Sequence, residues 1–315
     1  MPARGIEAAA DLVHGAIGAS PQISWPLLSQ RIGAETWVKH ENHLPTGAFK
    51  VRGGLTYIDH LRREQPGVRG VIAATRGNHG QSIAFAARQF GLPCVVVVPR
   101  GNSRSKNAAM RAYGAELIEA GDDFQAAYEA TQAIAEERKL HFVRSFHPML
   151  VEGVSTYGWE LLRAVPDLAT IYVPIGLGSG ICGTIRARDL VGLKTEIVGV
   201  VSENAAAYAL SFEARRPAST NSADTIADGV ACRVPAENAL EIIWRGAARI
   251  IRVSEDEIKA AMRTYFADTH NVAEGAGATP LAAALKDKQR RPGKVGLILS
   301  GGNVDTDVYA QVLSG

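Results

Sequence analysis

One lysine of the sequence lies in a setting that favours covalent chemistry. Lys50 stands within the segment Pro45–Gly54, between Phe49 and Val51 and among small residues. Removing an amine from water disfavours its charged form, so a partly apolar setting lowers the pKa of a lysine and makes its side chain nucleophilic. The alternative is a surface lysine in a turn, which is the common situation for an isolated lysine.

A second segment combines glycine with polar side chains directly after the apolar run Val71–Ala74. It consists of Thr75, Arg76, Gly77, Asn78 and His79. The N–H groups at the start of a helix bind a carboxylate or a phosphate, and the Asn78 amide can hydrogen-bond a ligand oxygen. A plain strand-to-helix turn would also use glycine and a capping asparagine, so both interpretations stand.

A third segment is a glycine-rich turn after the apolar run 171–175. Its residues are Gly176, Leu177, Gly178, Ser179 and Gly180, followed by Ile181, Cys182 and Gly183. Such a turn binds a phosphate through its N–H groups and the helix dipole. Gly178, Gly180 and Gly183 also satisfy the dinucleotide pattern G-x-G-x-x-G, with Glu203 as a ribose partner. A nicotinamide-dependent oxidoreductase is therefore a second hypothesis.

The fourth segment places Ser300 directly after the apolar run 295–299 and before Gly301, Gly302 and Asn303. A serine hydroxyl can hydrogen-bond a ring nitrogen without imposing a charge on it. Taken alone, this segment is a capped turn. A serine hydrolase is excluded because the sequence contains no G-x-S-x-G centre.

Short apolar runs that alternate with Ala-rich helical segments must position these residues. This rhythm is typical of an α/β fold with open parallel sheets covered by helices. Ligands bind at the carboxyl ends of such strands, where three of the four segments lie. A capping box at Ser254 and Glu257 predicts a helix start. The predicted strands are 71–74, 95–98, 116–119, 171–175, 197–201 and 295–299, and the predicted helices include 81–90, 105–113, 123–138 and 153–165.

Composition and length limit the possible functions. The 315 residues are 46% hydrophobic and 21% charged, which is typical of a globular chain long enough for two cores. A net charge of +2 is too small to hold nucleic acid. Residues 1–20 lack a signal-peptide pattern, and no apolar run is long enough to cross a membrane. Three widely spaced cysteines (Cys94, Cys182 and Cys232) predict reduced thiols and a cytoplasmic location.

Together, the four segments resemble the pyridoxal-phosphate enzymes of fold type II, the tryptophan-synthase-β type, and within them the threonine/serine dehydratase and serine racemase family. Glu41–Asn42, Thr225–Val230 and Glu274–Ala278 support the resemblance, which covers nearly the whole chain. It implies two open twisted sheets covered by helices. The larger, cofactor-binding domain would comprise residues 1–51 and 148–315, and a smaller α/β domain residues 52–147. Members of this family are commonly homodimers.

The resemblance also implies a role for each residue of the site. Lys50 would form the Schiff base with pyridoxal phosphate, Asn78 would hydrogen-bond the phenolic oxygen of the cofactor, and Ser300 would face its pyridine nitrogen. Lys50 and Ser300 are the implied catalytic residues. The implied cofactor-binding residues are Phe49, Lys50, Asn78, Gly176, Leu177, Gly178, Ser179, Gly180, Gly229, Glu274 and Ser300. The substrate carboxylate would bind to Thr75, Arg76, Gly77, Asn78 and His79.

The implied reaction is β-elimination from a β-hydroxy-α-amino acid such as L-threonine or L-serine, which yields a 2-oxo acid and ammonia. Arg76 replaces a serine that racemases use, so two-base racemisation is not expected. Arg76 could bind the second carboxylate of a 3-hydroxyaspartate, or it could pair with a surface acid. Ala209 replaces a metal-binding carboxylate, so no metal site is predicted. The oxidoreductase hypothesis explains only the glycine-rich turn.

Overall fold

The structure is a computed structural model that describes residues 3–315, so Met1 and Pro2, where the predicted larger domain begins, lie outside it. Within this range the strands are β1 (Gln22–Ser24), β2 (Thr36–His40), β3 (Val71–Ala74), β4 (Cys94–Val98), β5 (Glu116–Glu119), β6 (His141–Phe142), β7 (Leu168–Pro174), β8 (Glu196–Ser202), β9 (Arg249–Val253) and β10 (Lys294–Leu299). The α-helices are α1 (Ala3–Ile17), α2 (Pro26–Ile32), α3 (Lys50–Glu64), α4 (Asn78–Gln89), α5 (Arg104–Ala112), α6 (Phe124–Arg138), α7 (Pro148–Ala164), α8 (Ser179–Leu190), α9 (Ala207–Ala214), α10 (Glu237–Gly246), α11 (Glu255–Thr269), α12 (Gly275–Lys286) and α13 (Thr306–Ser314).

The strands form two sheets. The larger sheet has the order β1-β2-β10-β7-β8-β9, and only β1 is antiparallel to its neighbour. The smaller sheet has the order β5-β4-β3-β6 and is parallel throughout. In the larger sheet, Leu297 of β10 pairs with Val38 of β2 and with Tyr172 of β7. The predicted fold class, an α/β fold with two open sheets covered by helices, is confirmed.

The central strands of each sheet are buried on both faces, which explains their continuous apolar runs. In β7, Tyr172 packs into one hydrophobic cluster, while Ile171 and Val173 pack into the cluster on the opposite face. The smaller sheet repeats this arrangement, with Ile72 of β3 on one side and Ala73 on the other. Each sheet is therefore packed between two hydrophobic clusters.

Two helices begin earlier than predicted. α7 begins at Pro148 rather than at residue 153, because proline suits the first position of a helix and the ring of His147 accepts a hydrogen bond from the N–H of Met149. α4 begins at Asn78 rather than at residue 81. The capping box at Ser254 and Glu257 is present at the start of α11.

The smaller sheet uses strands between residues 71 and 142 only, inside the interval predicted for the smaller domain. The boundaries at residues 52 and 147 stay predictions, since α3 crosses the first of them. The three cysteines are buried and free. Among residues 3–315, no helix combines the length and the apolar composition that a membrane crossing requires.

Candidate active site

The four segments meet in one cavity where strands of both sheets end. We call it the inner cavity of the site. The cavity is lined by Phe49, Lys50, Asn78, Pro174, Gly176, Leu177, Gly178, Ser179, Gly180, Gly229, Glu274, Ala276 and Ser300. All eleven residues expected to bind the cofactor belong to this lining. Pro174 and Ala276 were not predicted, although each is close in sequence to a predicted residue.

Lys50 is positioned by the residues that directly follow strand β10 of the larger sheet. The N–H of Phe49 donates to the carbonyl of Ser300 at 3.0 Å, and Ala48 forms a β-bridge with Gly301. These contacts bring Lys50, the first residue of α3, beside Ser300. Burial lowers the pKa of the Lys50 amine to about 8, although the nearby Glu274 carboxylate opposes the shift. The neutral, nucleophilic amine is therefore accessible near neutral pH.

The start of α3 is anchored by a buried ion cluster. Arg52 is fully buried, and its guanidinium donates to Glu41 Oε2 at 2.7 Å and to Glu160 Oε1 at 2.5 Å. Lys39, also fully buried, donates to Glu160 Oε2 at 2.6 Å. Arg52 and Lys39 thus neutralise the carboxylates of Glu41 and Glu160. Arg52 lies only two positions after Lys50, so the cluster holds the start of the helix. From the sequence, Glu41 and Arg52 were named only as members of longer segments and were given no role of their own, because their partner Glu160 lies in the distant helix α7.

The ion cluster predicts a specific loss of stability in acid. Burial opposes ionisation of Glu160, but the charges of and hydrogen bonds from Arg52 and Lys39 outweigh it and lower the pKa of Glu160 to about 2, from an ordinary value of 4.5. A lowered pKa contributes stability above pH 4.5, and this contribution is lost as the pH falls toward 2. We expect Glu160→Gln to be less stable than the unaltered protein at pH 7, and to lose less on acidification across this window.

Urea unfolding of both proteins between pH 7 and pH 3 measures this difference. The matched control is Glu137→Gln, which alters an exposed glutamate of α6 and should reproduce the parent curve. Parallel curves for Glu160→Gln and the parent would contradict a stabilising carboxylate at this position.

The glycine-rich turn leads from β7 into α8 and closes tightly on its surroundings. A Cβ atom on Gly176 would lie 2.2 Å from the carbonyl oxygen of Gly229. Gly178 has a φ of 95°, a conformation that favours glycine, and occupies the N-cap of α8 without a capping side chain. The N–H groups of the first turn of α8 are therefore left for a ligand, and this arrangement suits a phosphate.

Asn78 and Glu274 form a polar pair in the same cavity. Asn78 Nδ2 donates to Glu274 Oε1 at 2.8 Å. Glu274 is buried at the N-cap of α12. Burial raises the pKa of the Glu274 carboxyl, while the Lys106 ammonium and the Asn78 hydrogen bond oppose that shift.

The predicted substrate-binding segment is shaped by Thr75. Its buried hydroxyl accepts hydrogen bonds from the N–H of Gly77 at 2.9 Å and of Gly80 at 3.1 Å. His79 is buried, with Nε2 3.5 Å from the carbonyl of Val143, and burial together with the Lys50 charge lowers its pKa to about 3. Of the five residues assigned to the substrate, only Asn78 lines the inner cavity.

Arg76 lies at the outer rim, with 55% of its side chain exposed. Its guanidinium is 3.7 Å from the Asp228 carboxylate, to which Lys106 Nζ also donates at 3.2 Å. The structure therefore gives Arg76 an acidic partner within the protein. Lys106 was missed because it carries no local sequence signal. Lys106 and Asp228 line an adjoining cavity that shares Glu274 and Ala276 with the first one.

The donor set of the inner cavity fits pyridoxal phosphate. Lys50 offers an amine for the aldehyde, and the turn at α8 offers N–H groups for the phosphate. Asn78 and Ser300 offer an amide and a hydroxyl for the ring heteroatoms, and Phe49 offers an apolar surface. Close packing of Gly176 against Gly229 leaves no room for a side chain at residue 176.

Comparison with known proteins agrees with this fit. A model of the pyridoxal-phosphate dependent enzyme family matches residues 13–301. The L-threonine ammonia-lyase of Thermotoga maritima is 35% identical over 289 residues, which are 91% of this chain and 72% of that enzyme. The structure of maize serine racemase has a TM-score of 0.92 at 28% identity and covers 99% of this chain and 96% of that one. The structure of a pyridoxal 5'-phosphate-dependent aspartate racemase has a TM-score of 0.91 at 30% identity and covers 96% of each chain.

These matches extend over nearly the whole chain and agree with the cavity in which Lys50 and the glycine-rich turn meet. They leave no role for the nicotinamide cofactor of the second hypothesis. The chain belongs to the pyridoxal-phosphate-dependent enzymes of fold type II, in the threonine dehydratase and serine racemase family.

Proposed function

We propose that the protein is an ammonia-lyase that converts a β-hydroxy-α-amino acid, L-threonine or L-serine, to a 2-oxo acid and ammonia. The observation that carries this proposal is that Lys50, with its lowered pKa, shares one cavity with Asn78, Ser300 and the glycine-rich turn. The 35% identity to an L-threonine ammonia-lyase supports it. The proposed assembly is a homodimer and the proposed location is the cytoplasm, both expected from sequence reasoning alone.

Each part of the site has a task in this reaction. Pyridoxal phosphate, when bound at Lys50, supplies an electron-accepting ring that stabilises negative charge on the substrate α-carbon. The Lys50 amine acts as general base and holds the α-proton at Nζ, for which a pKa near neutrality is suited. The N–H groups between Thr75 and His79, apart from that of Gly77, which donates to Thr75, bind the substrate carboxylate, so the orientation of the α-carbon bonds is set.

The rim of the site favours a neutral substrate side chain over an acidic one. Arg76 and Lys106 both lie beside Asp228, so a distal carboxylate of a 3-hydroxyaspartate would compete with an acid of the protein. The similarity to an aspartate racemase makes this substrate the necessary comparison. Racemisation is not proposed, because residue 76 is an arginine where racemases of this family carry the serine that acts on the opposite face of the α-carbon.

The substrate is tested by measuring 2-oxo acid release from the cofactor-loaded protein with L-threonine, L-serine and the 3-hydroxyaspartate stereoisomers. We expect turnover of threonine or serine. In Arg76→Ala, the ratio of threonine to hydroxyaspartate activity should change by less than about fivefold, because an exposed ion pair contributes at most about 1 kcal/mol. Arg100→Ala, which removes another exposed ion pair, is the matched control.

Selective loss of hydroxyaspartate turnover in Arg76→Ala would instead assign Arg76 to a second carboxylate. If none of these substrates releases a 2-oxo acid, while the protein still binds pyridoxal phosphate at Lys50, the proposed substrates are wrong.

A further inference from the structure

An asparagine outside the cofactor cavity connects two segments of the site. Asn303 lies three residues after Ser300, and its Nδ2 donates to the backbone carbonyl of Thr46 and to Oδ1 of Asn78, each at 2.8 Å. Thr46 lies four residues before Lys50, and Asn78 lines the cavity. Asn303 was part of the Ser300 segment in the sequence, but no role was predicted for it.

The hydrogen bonds of Asn303 determine which way the Asn78 amide points. The carbonyl oxygen of Thr46 can only accept, so the Asn303 atom facing it must be the NH₂ group. The second hydrogen of that group goes to Asn78, which must therefore present its carbonyl oxygen to Asn303. The NH₂ group of Asn78 consequently faces Glu274, to which it donates one hydrogen, and it keeps the other for the cavity.

We propose that Asn303 is a positioning residue that holds the Asn78 amide in the orientation that presents an N–H donor to the phenolic oxygen of pyridoxal phosphate. This inference rests on the role proposed for Asn78, but not on the identity of the substrate. The two ends of an amide are nearly equal in size, so the shape of the cavity alone does not select between them.

Glu274 cannot secure this orientation by itself. An ionised carboxylate accepts hydrogen bonds only, but a protonated one can also donate. Burial raises the pKa of Glu274, so its protonated form, which could donate to an inverted Asn78, becomes more accessible. Asn303 has no such ambiguity, because one of its two partners is a backbone carbonyl.

The position of Asn303 is also sterically fixed. Gly47 has a φ of 65°, and a Cβ atom there would lie 2.5 Å from Asn303 Oδ1. The N–H of Gly302 donates to the carbonyl of Gly47 at 2.9 Å. The turn before Lys50 therefore packs directly against the Asn303 side chain.

The test is Asn303→Asp, which keeps the size of the side chain and removes both donors. In the loaded enzyme we expect the pH titration of the visible absorbance to shift to higher pH, because a donor to an anionic oxygen is lost. The dissociation constant for added pyridoxal phosphate should increase about tenfold or more, the loss typical of one hydrogen bond to a charged group. The hydroxyl of Asn303→Ser can donate to only one partner, so we expect smaller changes in the absorbance titration and in the dissociation constant. This variant tests the proposal if Asn303→Asp does not fold.

The matched control is Asn271→Asp. Asn271 also donates through its Nδ2 to a backbone carbonyl, that of Thr269 at 2.9 Å, but its contact with Asn42 runs through Oδ1, which accepts at 3.1 Å, and it lines neither cavity. It should leave both measurements unchanged. A folded Asn303→Asp with the parent absorbance titration and affinity would overturn the inference, whereas a parent protein that binds the cofactor but releases no 2-oxo acid would overturn only the proposed function.

Discussion

Replacing Lys50 with alanine is expected to lower 2-oxo acid release by about 10⁴-fold or more, since general acid–base catalysis alone contributes up to about that factor. The substitution also removes the amine that binds the cofactor covalently. Among the residues that line the inner cavity, the other ionisable side chain is Glu274, whose Oε1 already accepts a hydrogen bond from Asn78. The measurement is the rate of 2-oxo acid formation from L-threonine at saturating cofactor.

The matched control for this prediction is Lys288→Ala, which removes an exposed lysine that lines neither cavity. It should keep the parent rate. Borohydride treatment followed by peptide mass analysis adds an independent readout, because reduction should fix the cofactor on Lys50 in the parent and leave Lys50→Ala unlabelled. Parent-like turnover in Lys50→Ala would show that another group acts as the base.

Sequence reasoning could find the members of the site that lie in locally distinctive segments. Lys50, Asn78, Gly178 and Ser300 each follow from residue types within a few positions, read together with the resemblance to one family. Gly178 and Ser300 follow β7 and β10, which are parallel neighbours in the larger sheet, so their proximity follows from the topology. Asn78 follows β3 of the smaller sheet and Lys50 does not directly follow a strand, so their place in the same cavity depends on tertiary contacts.

The remaining members depend on contacts between distant parts of the chain. Lys106 meets Asp228 across 122 positions, and Asn303 meets Asn78 across 225. Nothing in the residues next to Lys106 distinguishes it from a lysine on an exposed helix face. The role of Arg76 was left open for the same reason, since its acidic partner became visible only in the folded chain.

The fold shows the same division. The buried strand β3 was predicted with the bounds that the structure has, because a continuous apolar run is a local signal. The strands at the edges of the larger sheet were not predicted. β1 has three residues, and β9 is only partly buried over most of its length, so neither has a strong local pattern.

Replacing Arg52 with methionine is expected to lower the free energy of unfolding by about 3 to 5 kcal/mol, the usual cost of removing one partner from a buried ion pair. Arg52 and its partner Glu41 are fully buried, and Glu160 is nearly so. Methionine fills much of the same volume but leaves Lys39 as the only buried cation of the cluster. Urea unfolding at pH 7 measures the loss.

The matched control lies on the same helix. Arg63→Met removes an exposed partner of Asp59, and an exposed pair contributes at most about 1 kcal/mol. If the cost at Arg52 comes from carboxylates left without a partner, neutralising one of them in Arg52→Met/Glu41→Gln should restore part of the lost stability. A loss in Arg52→Met no larger than that in Arg63→Met would show that the buried cluster does not stabilise the start of α3. A double variant less stable than Arg52→Met would show that packing around the guanidinium, rather than charge, anchors the helix that carries Lys50.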